Sequence, residues 1–163
     1  MPDGAIENTE ENRLLVIQAI RKYQPDIVLC NAIHDRHPDH ANSAKLVADA
    51  CFLAGLKMKK TYYNNLEQQA WRPQAVYHYI QDYFIEPDFV VNITNEMDKK
   101  MEAILAFKSQ FVEPKTNEPN SIMGLLDQIK NMNSLYGRPI NVKYAEGFTV
   151  TRYMGVQDFF DLL

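Results

Sequence analysis

Ile27-Val28-Leu29-Cys30, then Asn31-Ala32-Ile33, then His34-Asp35-Arg36-His37-Pro38-Asp39-His40 is the stretch that decides the fold. An apolar run of strand length gives way to a polar loop, and a long helical pattern follows. Open α/β sheets place their chemistry at this kind of junction, the carboxyl end of a strand. Three of the four histidines fall within the last seven of these residues, so a loop of ordinary composition is not what is being read. Pro38 suits the first turn of a helix, where a missing N–H costs nothing. Working outward, residues 38–54 carry Val47, Ala50, Cys51 and Ala54 inward, and Gly55 is placed as the C′ residue. Upstream, Asn8 reads as an N-cap with Glu11 as its capping-box partner, and Val16, Ala19, Ile20 and Tyr23 share a face. Gln24-Pro25-Asp26 ends that helix. Because the 27–30 run is apolar on both faces, it predicts a strand inside a parallel sheet. Helix, strand, loop and helix make one right-handed α/β repeat.

The loop chemistry follows from spacing. His37 and His40 are three residues apart and can share one side of a helical turn. Asp39 lies between them and can accept a second imidazole N–H, which orients the ring. One histidine can then ligate a metal while the other faces a reacting carbonyl. The competing reading is a capped helix start with solvated histidines. A site built from His34, His37 and His40 together is a third.

Farther along, Lys57, Lys59 and Lys60 read as a solvated face, and residues 62–73 as an irregular polar stretch closed by Trp71-Arg72-Pro73. Residues 75–80 form a strand with Val76, His78 and Ile80 on one side, His78 being a packed strand residue. Residues 89–93 form another strand, followed by a helix capped by Thr94 or Asn95, with Met97, Met101, Ile104 and Leu105 on one face. Residues 112–120 are a loop. Ile122, Leu125, Leu126, Ile129 and Met132 mark a last helix, 142–148 a strand and 155–163 a short docked tail. The 163 residues fit one domain, 1–163, with one core. A net charge of −4 without a basic run excludes an electrostatic footprint for nucleic acid. No apolar stretch approaches a membrane span of about 20 residues. The first residues are acidic and polar, unlike a leader, and Cys30 and Cys51 read as apolar core residues, so a reducing cytoplasm is expected.

Asp35-Arg36-His37-Pro38-Asp39-His40-Ala41 resembles the second motif of the LmbE-like (PIG-L type) zinc-dependent N-acetylglucosamine deacetylases. The similarity is greatest to the bacillithiol-biosynthesis branch, which acts on N-acetylglucosaminyl-malate. Met1-Pro2-Asp3-Gly4, Ile6-Glu7-Asn8-Thr9 and Ile85-Glu86-Pro87-Asp88-Phe89-Val90-Val91 extend it. So do Lys100-Met101-Glu102-Ala103-Ile104, Lys108-Ser109-Gln110-Phe111 and Tyr144-Ala145-Glu146-Gly147-Phe148.

The resemblance implies a Rossmann-like, mostly parallel sheet with flanking helices, a zinc cofactor, an amino-sugar conjugate as substrate and a homo-oligomer. It implies His40 as metal ligand, His37 as the imidazole donating to the oxyanion, and Asp39 as the group orienting His37. Arg36 would pair with a substrate carboxylate, with Arg72 a second candidate, and Glu146 would line the sugar pocket. The family's first motif, Ala-His-Pro-Asp-Asp, supplies two metal ligands and the general base, and this sequence does not contain it. The expectation is therefore the N-terminally truncated, C-terminal portion of a deacetylase domain, lacking the family's N-terminal strand-helix segment. Its alternative is a non-catalytic fragment or subunit of the same fold that cannot hold zinc.

Overall fold

The computed structural model describes residues 1–111 and 124–162. In chain order the elements are α1 (Glu10–Tyr23), β1 (Ile27–Cys30), α2 (Pro38–Ala54), β2 (Tyr62–Tyr63), β3 (Leu66–Glu67) and β4 (Ala75–Tyr79). Then come β5 (Phe89–Asn92), α3 (Met97–Leu105), α4 (Lys108–Phe111), α5 (Leu125–Gly137) and β6 (Ala145–Val150). The class is α/β with a mixed sheet and flanking helices. The expected loop at 112–120, and Ile122 of the last predicted helix, lie outside the described residues. The chain divides into two compact units, Met1–Tyr79 with the chain from Phe148 onward, and Ile80–Gly147.

In the first unit β1 lies parallel to β4, with Ile27 opposite Ala75 and Cys30 opposite His78. β4 is antiparallel to the end of β6, Tyr79 facing Phe148. The core is Ile17, Ile20, Ala50, Cys51 and Ala54, with Val28, Val47, Trp71 and Val76 packed against it. Helix α2 has the expected bounds and inward residues. Helix α1 is capped one residue later than predicted: Thr9 Oγ1 accepts the Asn12 N–H at 3.2 Å. Asn8 turns elsewhere, donating to Asp49 Oδ2 at 2.7 Å and accepting from Arg13 at 2.8 Å. The buried face of α1 is also rotated from expectation, to Ile17, Ile20 and Arg21, with Tyr23 exposed.

Three further expectations are corrected. Strand β1 is not interior: it pairs with β4 alone among the described strands, and Ile27 and Leu29 are 54% and 57% exposed. Only its Val28–Cys30 side packs inward. The irregular 62–73 stretch contains a small hairpin, β2 on β3, turned by Asn64 and Asn65, both at positive φ (50° and 63°). Successive left-handed asparagines match the twist of a two-residue hairpin turn. The tail is not docked: residues 151–162 are exposed, Phe159 and Phe160 included.

The second unit packs Ile80, Met132, Tyr136 and Ala145, with Ile85, Val90 and Val142 around them. Here β5 and the start of β6 are neighbours in the sheet, and β6 begins three residues later than predicted. Met97 and Met101 are buried on α3, as core filler should be. Tyr136 donates its hydroxyl to the Ile85 carbonyl at 2.8 Å, and its burial pushes the phenol up to about 12. No described helix is long and apolar enough to cross a membrane.

Burial pushes the Cys30 thiol up to about 12, Cys51 adding to it, and pushes Cys51 to about 11. Both therefore stay neutral and unreactive at neutral pH. The sign for stability follows by linkage. An unfolded thiol ionises near pH 8.5 while the folded one does not. The contribution of the buried thiols is thus complete below about 8.5 and is lost as pH rises toward 11 and 12. Neither cysteine is expected to react with a soluble disulfide reagent at pH 8 faster than the chain unfolds. The denaturant midpoint should fall as the pH is raised above about 8.5. Rapid native-state labelling of either thiol would contradict this.

Candidate active site

Asn31 leaves the end of β1, and residues 31–37 carry the chain to the first turn of α2. His37 is the N-cap of α2, in extended conformation, and Pro38 takes the first helical position. The cap is made by the imidazole itself: His37 Nδ1 accepts the Asp39 backbone N–H at 3.2 Å. A ring nitrogen that accepts carries a lone pair, so in the neutral imidazole of His37 the proton sits on Nε2. His37 is thereby set up as a hydrogen-bond donor at its outer nitrogen.

His40 has the opposite arrangement. Its Nδ1 meets Asp35 Oδ1 at 3.0 Å, and a carboxylate oxygen accepts. The proton is on Nδ1, and the lone pair of the neutral ring is on Nε2, the form a metal ligand takes. The two rings lie 5.2 Å apart, tilted by 31°.

Asp39 is buried, and its carboxylate turns toward the start of the chain. Oδ2 accepts the Gly4 N–H at 2.6 Å and Oδ1 the Ile6 N–H at 3.1 Å. Its bond to His37 runs from its backbone rather than from its carboxylate. This clamp on Gly4, itself at φ 75°, brings Asp3 to the loop. Asp3, His37 and Asp39 offer ligand atoms within 4.8 Å of one another, the one such group among the described residues. Asp3 and Asp35 join the site without having been singled out in the sequence. Asp35 was in view inside the histidine stretch; Asp3 is reached only by a contact across 35 positions.

Arg36 is exposed on the same loop, and His34 is exposed too. His34, His37 and His40 do not form a close ligand group among the described residues. Arg72 is not brought to the loop. It stands at the far end of α2, about 25 Å of helix away, stacked 4.4 Å over the Phe52 ring and donating to the Phe52 carbonyl at 3.0 Å. Gly55 is required beside it, since a Cβ there would collide with the Arg72 side chain. A cleft of about 580 Å³ opens at that end, lined by Phe52, Arg72, Tyr77 and Arg152, and no residue from 34 to 40 borders it. Glu146 belongs to the second unit, where Lys100 pairs with it at 2.8 Å and also donates to Asn133 at 3.1 Å. His78 is buried in β4 and donates from Nδ1 to the Asn31 carbonyl at 2.9 Å, a packed strand histidine as expected.

The donor set decides how far zinc fits. His40 has the tautomer that a metal ligand takes. The Asp3, His37, Asp39 group is a poor cage, because His37 would have to surrender its Nε2 proton, and both Asp39 oxygens already hold backbone N–H groups. Among the described residues, one such imidazole is short of the three protein ligands of a catalytic zinc site.

No family model matches the chain. Its fold is shared by solved structures of other proteins. A conserved protein from Thermus thermophilus superposes with a TM-score of 0.80 at 30% identity, covering 96% of this chain and 66% of that one. The N,N'-diacetylchitobiose deacetylase from Pyrococcus horikoshii, in complex with its inhibitor MPG, shares the fold with a TM-score of 0.70 at 24% identity. That match covers all of this chain (100%) and 60% of the other. Among curated proteins, the diacetylchitobiose deacetylase of Thermococcus kodakarensis is 28% identical over 151 residues, 89% of this chain and 52% of the relative. The chain spans about half the length of the curated relative it matches.

Proposed function

We propose that the chain is part of a zinc-dependent deacetylase that hydrolyses the N-acetyl group of an N-acetylglucosamine conjugate, N-acetylglucosaminyl-malate of bacillithiol biosynthesis being the substrate. The observation that carries it is the pair of opposed imidazoles. His37 presents a donor and His40 a lone pair, the two roles amide hydrolysis at a metal asks of this loop. Zinc, when bound, would polarise the carbonyl and lower the pKa of a water. His40 would be one of its ligands, and His37 would donate from Nε2 to the oxygen on which charge develops. Asp39 holds the Asp3-Gly4 turn against the loop while its backbone N–H holds the His37 ring. Arg36 would take a substrate carboxylate bidentately. Arg72, anchored at the other end of α2, has no part in this reading. A cytoplasmic homo-oligomer is the assembly proposed with it.

The incomplete ligand set favours a second statement about the 163 residues themselves: alone, they are the non-catalytic portion of such an enzyme. Zinc titrated against a competing chelator is expected to bind this chain weakly and to lose its site in His40→Ala. Tightly held, stoichiometric zinc in the purified chain would contradict the incomplete site. The function itself is tested by release of free amine from N-acetylglucosaminyl-malate, using the zinc-loaded chain completed with the remaining segment of a relative. No turnover there would end the reading.

A further inference from the structure

We propose that Asp35 is a positioning residue for His40: its carboxylate holds the imidazole proton on Nδ1 and so presents the ring's lone pair at Nε2. The Asp35 side chain is 1% exposed, against 32% for His40. A carboxylate so withdrawn from water is costly unless charge-assisted hydrogen bonds satisfy it. Its Oδ1 faces two donors, the His40 ring at 3.0 Å and the His37 backbone N–H at 3.3 Å. One atom thus ties the loop to the first turn of α2 and sets the tautomer of the second histidine. The direction of the bond is not open, since an ionised carboxylate only accepts. In water the neutral imidazole prefers its proton on Nε2, so Asp35 must reverse that preference. His37, three residues earlier, keeps the ordinary form because Asp39 N–H occupies its Nδ1. Neighbouring imidazoles are in this way held in opposite tautomers by one carboxylate and one backbone amide. The inference rests on the reading of His40 as a metal ligand, and it names the group that makes the nitrogen fit to be one.

The test uses the 163-residue chain labelled with ¹⁵N, long-range ¹H–¹⁵N correlation of the imidazoles being recorded at alkaline pH. His40 is expected to show the Nδ1–H pattern and His37 the Nε2–H pattern. In Asp35→Ala, His40 should revert to mostly Nε2–H with His37 unchanged and the backbone spectrum otherwise intact. Asp35→Asn, whose amide oxygen still accepts, should retain most of the wild-type pattern and serves if the alanine variant does not fold. Zinc alone, titrated into the same samples, should perturb His40 with a Kd about 10–100-fold weaker in Asp35→Ala. A wild-type His40 protonated on Nε2, or a tautomer unmoved in Asp35→Ala, overturns the proposal. The expected tautomers with no response of His40 to zinc would uphold Asp35's role and overturn the metal reading instead.

Discussion

His40→Ala, in a zinc-loaded protein completed with the relatives' remaining segment, is expected to lose both the metal and all deacetylation of N-acetylglucosaminyl-malate. His37 replacement should keep the metal and lower kcat by about 10²–10³, the usual worth of one oxyanion donor. The structure decides which substitution tests this cleanly. The His37 ring caps α2, so His37→Ala would mix the loss of a donor with a cap loss of about 0.5–2 kcal/mol. His37→Asn keeps a strong N-cap and removes the Nε2–H, so its rate loss reads the chemistry alone. The 163-residue chain without the added segment should show no turnover in any of these forms. Among its described residues one histidine has the arrangement proposed for a ligand, and oxyanion donation by itself falls far short of what amide hydrolysis demands. Zinc content and kcat, measured together, separate the two roles. If the His37 variant loses zinc while His40→Ala keeps it, the assignments are reversed.

What the sequence makes legible is local. The run 27–30, the polar loop and Pro38 place β1 and α2 at their observed bounds, because each signal acts within a few residues. The four inward residues of α2 follow from period alone. What fails is set by neighbours distant in sequence. An all-apolar strand looks interior until its pairing is known, and β1 is paired on one side only among the described strands. Hydropathy cannot place Arg21 on the buried face of α1, since its partners lie 33 to 40 positions away. Within the site, the residue types and the His37/His40 spacing are visible. Which carboxylate faces which ring is not: Asp39 lies beside His37 in sequence, yet its oxygens hold Gly4 and Ile6, and it is Asp35 that takes an imidazole. The Asn64-Asn65 turn is a local signal too, but strands only two residues long give it no flanking pattern to stand out against.

Arg21→Ala is expected to destabilise the first unit by about 1.5–3 kcal/mol, the worth of hydrogen bonding to a charged donor. Arg21 is 4% exposed, and its guanidinium ends the second helix. Nε donates to the Ala54 carbonyl at 3.0 Å and Nη2 to Leu56 at 2.9 Å; Nη1 reaches Lys59 O at 2.6 Å and Thr61 Oγ1 at 2.9 Å. The last turn of a helix leaves carbonyls without intrahelical partners, and here one fork satisfies Ala54 together with the chain leaving it. Burial pulls the guanidinium below its ordinary pKa, with Glu67 opposing, and it remains a cation all the same. Alanine would remove the charged donor, while the Ala54 and Leu56 carbonyls keep the N–H groups of Trp71 and Lys59, so what is lost is hydrogen bonding to a charged group, worth about 1.5–3 kcal/mol. Arg21→Lys should recover only part of the loss, because one ammonium cannot span carbonyls that a planar fork meets from several sides. Arg21→Met, which keeps bulk and drops every donor, should resemble alanine if hydrogen bonding dominates and resemble wild type if packing does. Denaturant unfolding of the three variants at one pH distinguishes these. A loss under about 1 kcal/mol in both Ala and Met forms would show that water replaces the fork, and that this end of the helix is not sealed.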